Sequence, residues 1–117
     1  MKLNDIRMFI PSKDYEISQS FYQALGFTLS RASDDLSILE KDGVTCFLQR
    51  YYNKEFAENL MLQLVVEDIE AAYKVVSGIQ VGSYDVKYSP IKQESWGKVI
   101  YLWGPSGELW HITELKP

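Results

Sequence analysis

The chain has 117 residues, a formal net charge of −4, and 46% hydrophobic against 24% charged residues. That length is one domain's worth, the composition is globular and not disordered, and the acidic balance argues against a nucleic-acid partner, which calls for a basic face. A single cysteine, Cys46, excludes an internal disulfide and fits a reducing compartment.

The opening stretch MKLNDIRMFIPSKD carries charges throughout and offers no apolar core for a signal peptide. The longest apolar run, near LMLQLVV, is too short to span a bilayer. A cytoplasmic chain with no membrane partner is expected. The run IRMFIP reads as a strand. Asp14 then suits the N-cap of a helix in which Ile17, Phe21 and Leu25 recur at helical spacing, and Gly26 stops it. FTLSRA, LSILEK and VTCFLQR read as strands, the last two joined by Asp42-Gly43, a strong two-residue hairpin signal. YYNKEFAENL is too polar for a strand and suits a short helical turn.

The second half repeats the order. LMLQLVV reads as a strand; Asp68 caps a helix with Ile69, Ala72, Tyr73 and Val76 on one stripe, ended by Gly78. YDVKYS is a weaker strand, and a loop is expected from Pro90 to Gly97. KVIYLW and ELWHITE flank the turn Gly104-Pro105-Ser106-Gly107. Strand, helix and three strands, twice over, predict an α+β fold of two βαβββ modules, residues 1–57 and 58–117, with the order itself pointing to an old duplication. No Gly-rich loop follows a strand, so nucleotide binding has no support.

Asp14 with SFYQALGF (20–27), VVEDIEAAY (65–73) and WGKVIYLWGPSGELWHITE (96–114) make the chain resemble the vicinal-oxygen-chelate superfamily, which includes glyoxalase I, extradiol dioxygenases and bleomycin-resistance proteins. The resemblance spans essentially the whole chain. It implies two modules curled into a cleft, commonly completed by a dimer partner. In metal-dependent members a His or Gln on the first strand and a Glu on the last strand of each module hold the ion. Those positions fall here on Arg7, Met61, Phe47 and His111. Arg stays charged, and Met and Phe offer no hard donor, so three of the four cannot serve as ordinary ligands. The family's aspartate at the final turn is replaced by Gly104.

His111 is the only histidine. Symmetric pairing about the last turn sets it opposite Ile100, with Leu109 opposite Leu102. Trp110, Ile112 and Tyr101 then pack under a helix, while His111 and Thr113 line the cleft. Two readings stay open for His111, a structural strand residue or a hydrogen-bonding group for a ligand; as a general base it lacks an identifiable orienting partner. Cys46, between Thr45 and Phe47, reads as a buried small hydrophobe. By strand alternation Phe9, Phe47, Gln49 and Gln63 face the cleft, and Tyr51, Tyr52 and Trp96 stand in loops where aromatic rings have no core to fill. Aromatic walls with a few amides suit a flat, partly polar molecule.

The expected function is that of a metal-independent binding protein of the bleomycin-resistance type, sequestering a planar, cationic small molecule at a homodimer interface. Its site comprises Arg7, Phe9, Phe47, Gln49, Tyr51, Tyr52, Gln63, Trp96 and His111, with no catalytic residue, metal or cofactor. The alternatives are a metal-dependent lyase, isomerase or dioxygenase of the same superfamily, and an assembly or regulatory module whose cleft is vestigial.

Overall fold

Three capping side chains punctuate the chain. Asp14 accepts from the Ile17 amide at 3.1 Å and starts α1 (Tyr15–Ala24). Asn53 accepts from the Phe56 amide at 2.9 Å and starts the short α2 (Lys54–Asn59). Asp68 accepts from the Glu70 and Ala71 amides and starts α3 (Ile69–Ser77). Each satisfies amides that the first helical turn leaves without partners. The structure is a computed structural model, and it describes residues 1–80 and 86–117.

Between the helices lie β1 (Phe9–Pro11), β2 (Thr28–Ser33), β3 (Leu36–Lys41), β4 (Val44–Gln49), β5 (Met61–Val65), β6 (Lys87–Tyr88), β7 (Lys92–Glu94), β8 (Gly97–Trp103) and β9 (Leu109–Leu115). The first half forms a sheet in the order β1-β4-β3-β2. The second forms one in the order β5-β9-β8-β6, with β7 also paired to β8. In both, the first strand lies parallel to the last of its half and the other pairings are antiparallel. This is an α+β arrangement of two βαβββ-like halves, as expected from the order of elements. Asp42-Gly43 forms the anticipated tight turn, with φ of 52° and 81° and Lys41 paired to Val44. Both central residues of such a turn need positive φ, which Asp tolerates and Gly adopts freely.

Four expectations change. The first strand begins only at Phe9, because residues 1–8 leave the sheet. Of the expected strand YDVKYS, Tyr84 and Asp85 lie outside the described residues, and only Lys87–Tyr88 pairs. The expected loop from Pro90 to Gly97 contains β7, whose Lys92 pairs with Val99 and whose polar side chains hid its strand character. The last hairpin is shifted by one residue: Tyr101, not Ile100, opposes His111, and Trp103 opposes Leu109. The cause is the turn, where the Gly104 amide donates to the Glu108 carbonyl and sets the register one residue from the symmetric choice.

Both sheets bury one face in a common core. Ile10, Leu39 and Leu48 of the first sheet and Leu62, Ile100 and Ile112 of the second are at most 7% exposed. Phe21 and Tyr22 of α1 and Ile69 and Val76 of α3 close over them in the same cluster. Cys46 is buried there too, as a small apolar residue on a core face.

Candidate ligand-binding site

Since successive strand residues alternate in direction, the residues that do not face the core form one open face on each sheet. On the first sheet Phe9 is registered beside Phe47, and the two rings stack at 4.7 Å with 21° between their planes. The Arg7 guanidinium lies 5.8 Å from the centre of the Phe47 ring, held by Asp5 at 3.2 Å. Phe9 remains 49% exposed. Such a stack presents an apolar plate to solvent, with a cation at its edge. Gln49, two residues on from Phe47, pairs with Pro11 and Leu36, and its carbonyl accepts from the Ser12 hydroxyl at 2.7 Å.

On the second sheet Gln63, His111 and Tyr101 stand side by side across β5, β9 and β8. The Tyr101 and His111 rings meet edge to face at 5.0 Å. Gln63 donates to the Thr113 hydroxyl at 3.4 Å, and Thr113 is fully buried. The His111 Nε2 atom is shielded from solvent and has no hydrogen-bond partner among the described residues. A buried imidazole nitrogen left unpaired costs free energy, about 1–3 kcal/mol, unless a ligand or water meets it. The one-residue shift therefore changes the neighbours of His111: Tyr101 joins the open face instead of packing under a helix.

The other expected site residues sit at the margins. Tyr51 is exposed, its carbonyl accepting from the Ser12 amide at 2.9 Å. Tyr52 lies under the Lys13 ammonium at 5.9 Å. Trp96, in the turn between β7 and β8, is 46% exposed. The structure thus gathers Phe9, Phe47 and Gln49 on one sheet, with Arg7 reaching over the Phe47 ring from outside it, and Gln63 and His111 on the other. The two open faces look away from the shared core. A groove of about 610 Å3 between the β3–β4 hairpin, β5 and α3 is lined by none of the nine residues.

The donors on the second face do not suit a divalent ion. Met61 pairs with Leu109, so the neighbour of His111 is Gln63, and an imidazole with one neutral amide lacks the charged, multiple donors such an ion needs. Among the described residues no three of His, Cys, Asp and Glu come together in a metal-binding group.

Sequence reasoning missed the strongest polar feature of the molecule. The Glu108 side chain is fully buried. Tyr22 donates its hydroxyl proton to one carboxylate oxygen at 2.7 Å, and the Ser106 amide donates to the other at 2.9 Å. The Trp110 indole donates to Tyr22 at 3.0 Å, and the Ser106 hydroxyl accepts from the Lys13 amide at 2.7 Å. The network clasps the last turn onto α1 and the segment before it. Burial pushes the Glu108 carboxyl above its ordinary range, against the lowering effect of its donors. Burial, and then the neighbouring carboxylate, raises the Tyr22 phenol well above its own. Gly104 makes the room: a Cβ there would fall 2.5 and 2.7 Å from the two carboxylate oxygens. The glycine that replaces the resembled family's aspartate thus has a steric reason, and the signal available in the sequence was a carboxylate at 108 four residues after a lost side chain at 104.

The backbone superposes over nearly its full length on several solved proteins. A bleomycin-binding protein complexed with bleomycin matches with a TM-score of 0.79 and 20% identity, over 97% of this chain and 100% of that one. The fold is that of the bleomycin-resistance proteins. A bleomycin resistance determinant encoded on the transposon Tn5 gives 0.81 and 20% identity over 98% and 100%. The bleomycin-binding protein of bleomycin-producing Streptomyces verticillus, complexed with copper(II)-bleomycin, gives 0.81 and 17% over 99% of both chains. No protein-family model and no curated protein sequence matches the chain. The bleomycin-resistance fold is therefore carried here by a sequence that shares few residues with those proteins.

Proposed function

We propose that the chain binds a planar small molecule between the open sheet faces of two copies and sequesters it without chemical change or metal. The observation that carries the reading is the pairing of an exposed Phe9–Phe47 stack on one face with an unpartnered His111 Nε2 on the other. A flat ligand extends the stack on one side and supplies the missing hydrogen bond on the other. Because the two faces look away from their own core, a second copy is needed to bring the first-sheet face of one chain opposite the second-sheet face of the other. The fold's likeness to bleomycin-binding proteins supports the same reading.

Within this reading Gln49 and Gln63 orient polar edges of the ligand, and Tyr51, Tyr52 and Trp96 form its rim. The net charge of −4 favours a cationic compound at long range. Arg7, Lys87 and Lys92 already stand over the Phe47, Trp103 and Tyr101 rings. A positive group on the ligand then meets a carboxylate and not these ring faces; Glu94, which accepts from the Tyr101 hydroxyl at 3.3 Å, stands beside the second face. Stacking contributes about 0.5–1.5 kcal/mol per ring pair beyond area burial; burial of the ligand's flat apolar faces supplies the larger share of the about −8 kcal/mol that micromolar affinity requires.

Calorimetric titration of bleomycin and a panel of planar drugs, graded from cationic to anionic, tests the proposal. Micromolar binding that Phe9→Ala and His111→Ala each weaken about tenfold is the expected result. Absence of binding below the millimolar range across the panel sinks it.

A further inference from the structure

The open face of the second sheet reverses the charge of the chain. Lys87 of β6 is registered opposite Trp103, and Lys92 of β7 opposite Val99. Directly paired residues of antiparallel strands point to one side. Val99, Tyr101 and Trp103 alternate along β8 on the side away from the core residues Ile100 and Leu102. Both lysines therefore stand on the face that carries Tyr101, His111 and Gln63. The Lys87 ammonium lies 4.5 Å from the centre of the Trp103 ring, and the Lys92 ammonium 6.0 Å from that of Tyr101. Neither is ion-paired among the described residues. Glu94, two residues from Lys92 and so on the same side, is the one acid of this face among the described residues. In a chain of net charge −4 this face thus sets two bases against one acid. The base beside the first face, Arg7, is by contrast already held by Asp5 at 3.2 Å.

The charges are ordered along β8: Glu94 beside Gly97, Lys92 beside Val99, Lys87 beside Trp103. Tyr101 and Trp103 are two residues apart, so their side chains leave the strand about 7 Å from one another. Ammonium groups over rings at that spacing, each on a flexible four-carbon stem, can close on the oxygens of one acidic group laid between them. Glu94, bonded to the Tyr101 hydroxyl at 3.3 Å, offers the opposite charge at the other end. A purely cationic ring brings like charge to both lysines, and a purely anionic one brings like charge to Glu94.

We propose that Lys87 and Lys92 hold an acidic group of the ligand while Glu94 takes its amine, so that the molecule this face selects is a flat zwitterion, an aromatic carboxylate that also carries a basic nitrogen. The inference rests on the sequestration reading above and names the ligand class of that site. Lys87, Lys92 and Trp103 then become specificity residues, with Trp103 and Tyr101 as the floor beneath the ligand's acidic edge.

Calorimetric titration of three compounds on one ring system tests it, in metal-free buffer at pH 7.4: ciprofloxacin, a zwitterion; its methyl ester, a cation; and its N-acetyl derivative, an anion. Ciprofloxacin is expected to bind about tenfold tighter than either derivative. Both lysines are exposed, so Lys87→Glu/Lys92→Glu is expected to keep the circular dichroism spectrum. That variant is expected to bind ciprofloxacin about tenfold more weakly and the ester as well or better. Lys87→Met/Lys92→Met separates this role from mere cover of the rings, and is expected to abolish the preference for the zwitterion over the ester. Equal affinity for the zwitterion and the ester in the wild type, or a preference that survives the methionine variant, overturns the inference. Failure of all three to bind a chain that does bind bleomycin or another planar drug overturns it too, and leaves the sequestration reading standing. A chain that binds no member of either set overturns both.

Discussion

Gly104→Ala isolates the physical reason for the buried carboxylate. Gly104 does not require positive φ, so its backbone accepts alanine without strain. The added Cβ, however, falls 2.5 and 2.7 Å from the Glu108 oxygens, well inside contact distance. Either the turn shifts, an overpacking cost of about 1–3 kcal/mol, or Glu108 withdraws from Tyr22 and Ser106. Withdrawal leaves a hydroxyl and an amide buried without an acceptor, at about 1–3 kcal/mol each. A loss of about 3 kcal/mol is expected, which for a domain of this size lowers Tm by roughly 12 °C. Glu108→Ala alone removes the same acceptor and costs a similar amount. In the double variant the methyl group has space, so its cost is expected to match Glu108→Ala alone and not the sum. Urea unfolding of the four proteins of this cycle gives the coupling directly. Additive costs within about 0.5 kcal/mol would show that the carboxylate and the glycine do not depend on one another, and the account of the turn would fail.

Glu108 also sets a pH dependence. Its folded carboxyl titrates above the ordinary value of 4.5, so over that interval the unfolded chain has lost the proton that the folded chain keeps. Stability is then expected to fall as pH rises from about 4.5 into the raised range, and Glu108→Gln to flatten that slope in thermal melts. Trp110 is 4% exposed and bonded to Tyr22, so Trp110→Ala is expected to cost about 3–5 kcal/mol in denaturant unfolding; Trp96→Ala, at a half-exposed turn, should cost under about 1 kcal/mol and show its effect in ligand titration instead. Burial pushes the Cys46 thiol up to about 11, so alkylation followed by mass spectrometry at pH 8 is expected to run about a hundredfold slower than for a free thiol and to reach the free rate in denaturant.

What could be read in advance was set by local chemistry. Asp14, Asp68 and the Asp42-Gly43 turn announced their elements because caps and tight turns depend on the residues within a few positions. The alternation that put Phe9 and Phe47 on one face held because it needs only the strand itself. The hairpin register did not, since it depends on how Gly104 and Glu108 bond across the turn, and an error of one position moved Tyr101 from the core to the side of His111. The strand at Lys92–Glu94 stayed hidden because its partner, β8, supplies the stabilisation that its polar side chains do not. The role of Glu108 is hidden for a related reason. A carboxylate next to a strand reads as solvated until Tyr22, distant in sequence, is placed beside it.

The parallel pairing of first with last strand in each half has a consequence for how the molecule is made. Phe9 waits for Phe47, and Met61 for Leu109, before either finds its neighbour. During synthesis the start of each half therefore emerges with its backbone unpaired, and it stays so until nearly all of that half has left the ribosome. Sequence-distant pairings of this kind slow folding. The antiparallel β3–β4 hairpin, closed by two residues, is the natural early nucleus of the first half, and β8–β9 that of the second. Nascent chains halted after residue 41 should remain protease-sensitive at Phe9, whereas the completed chain should not.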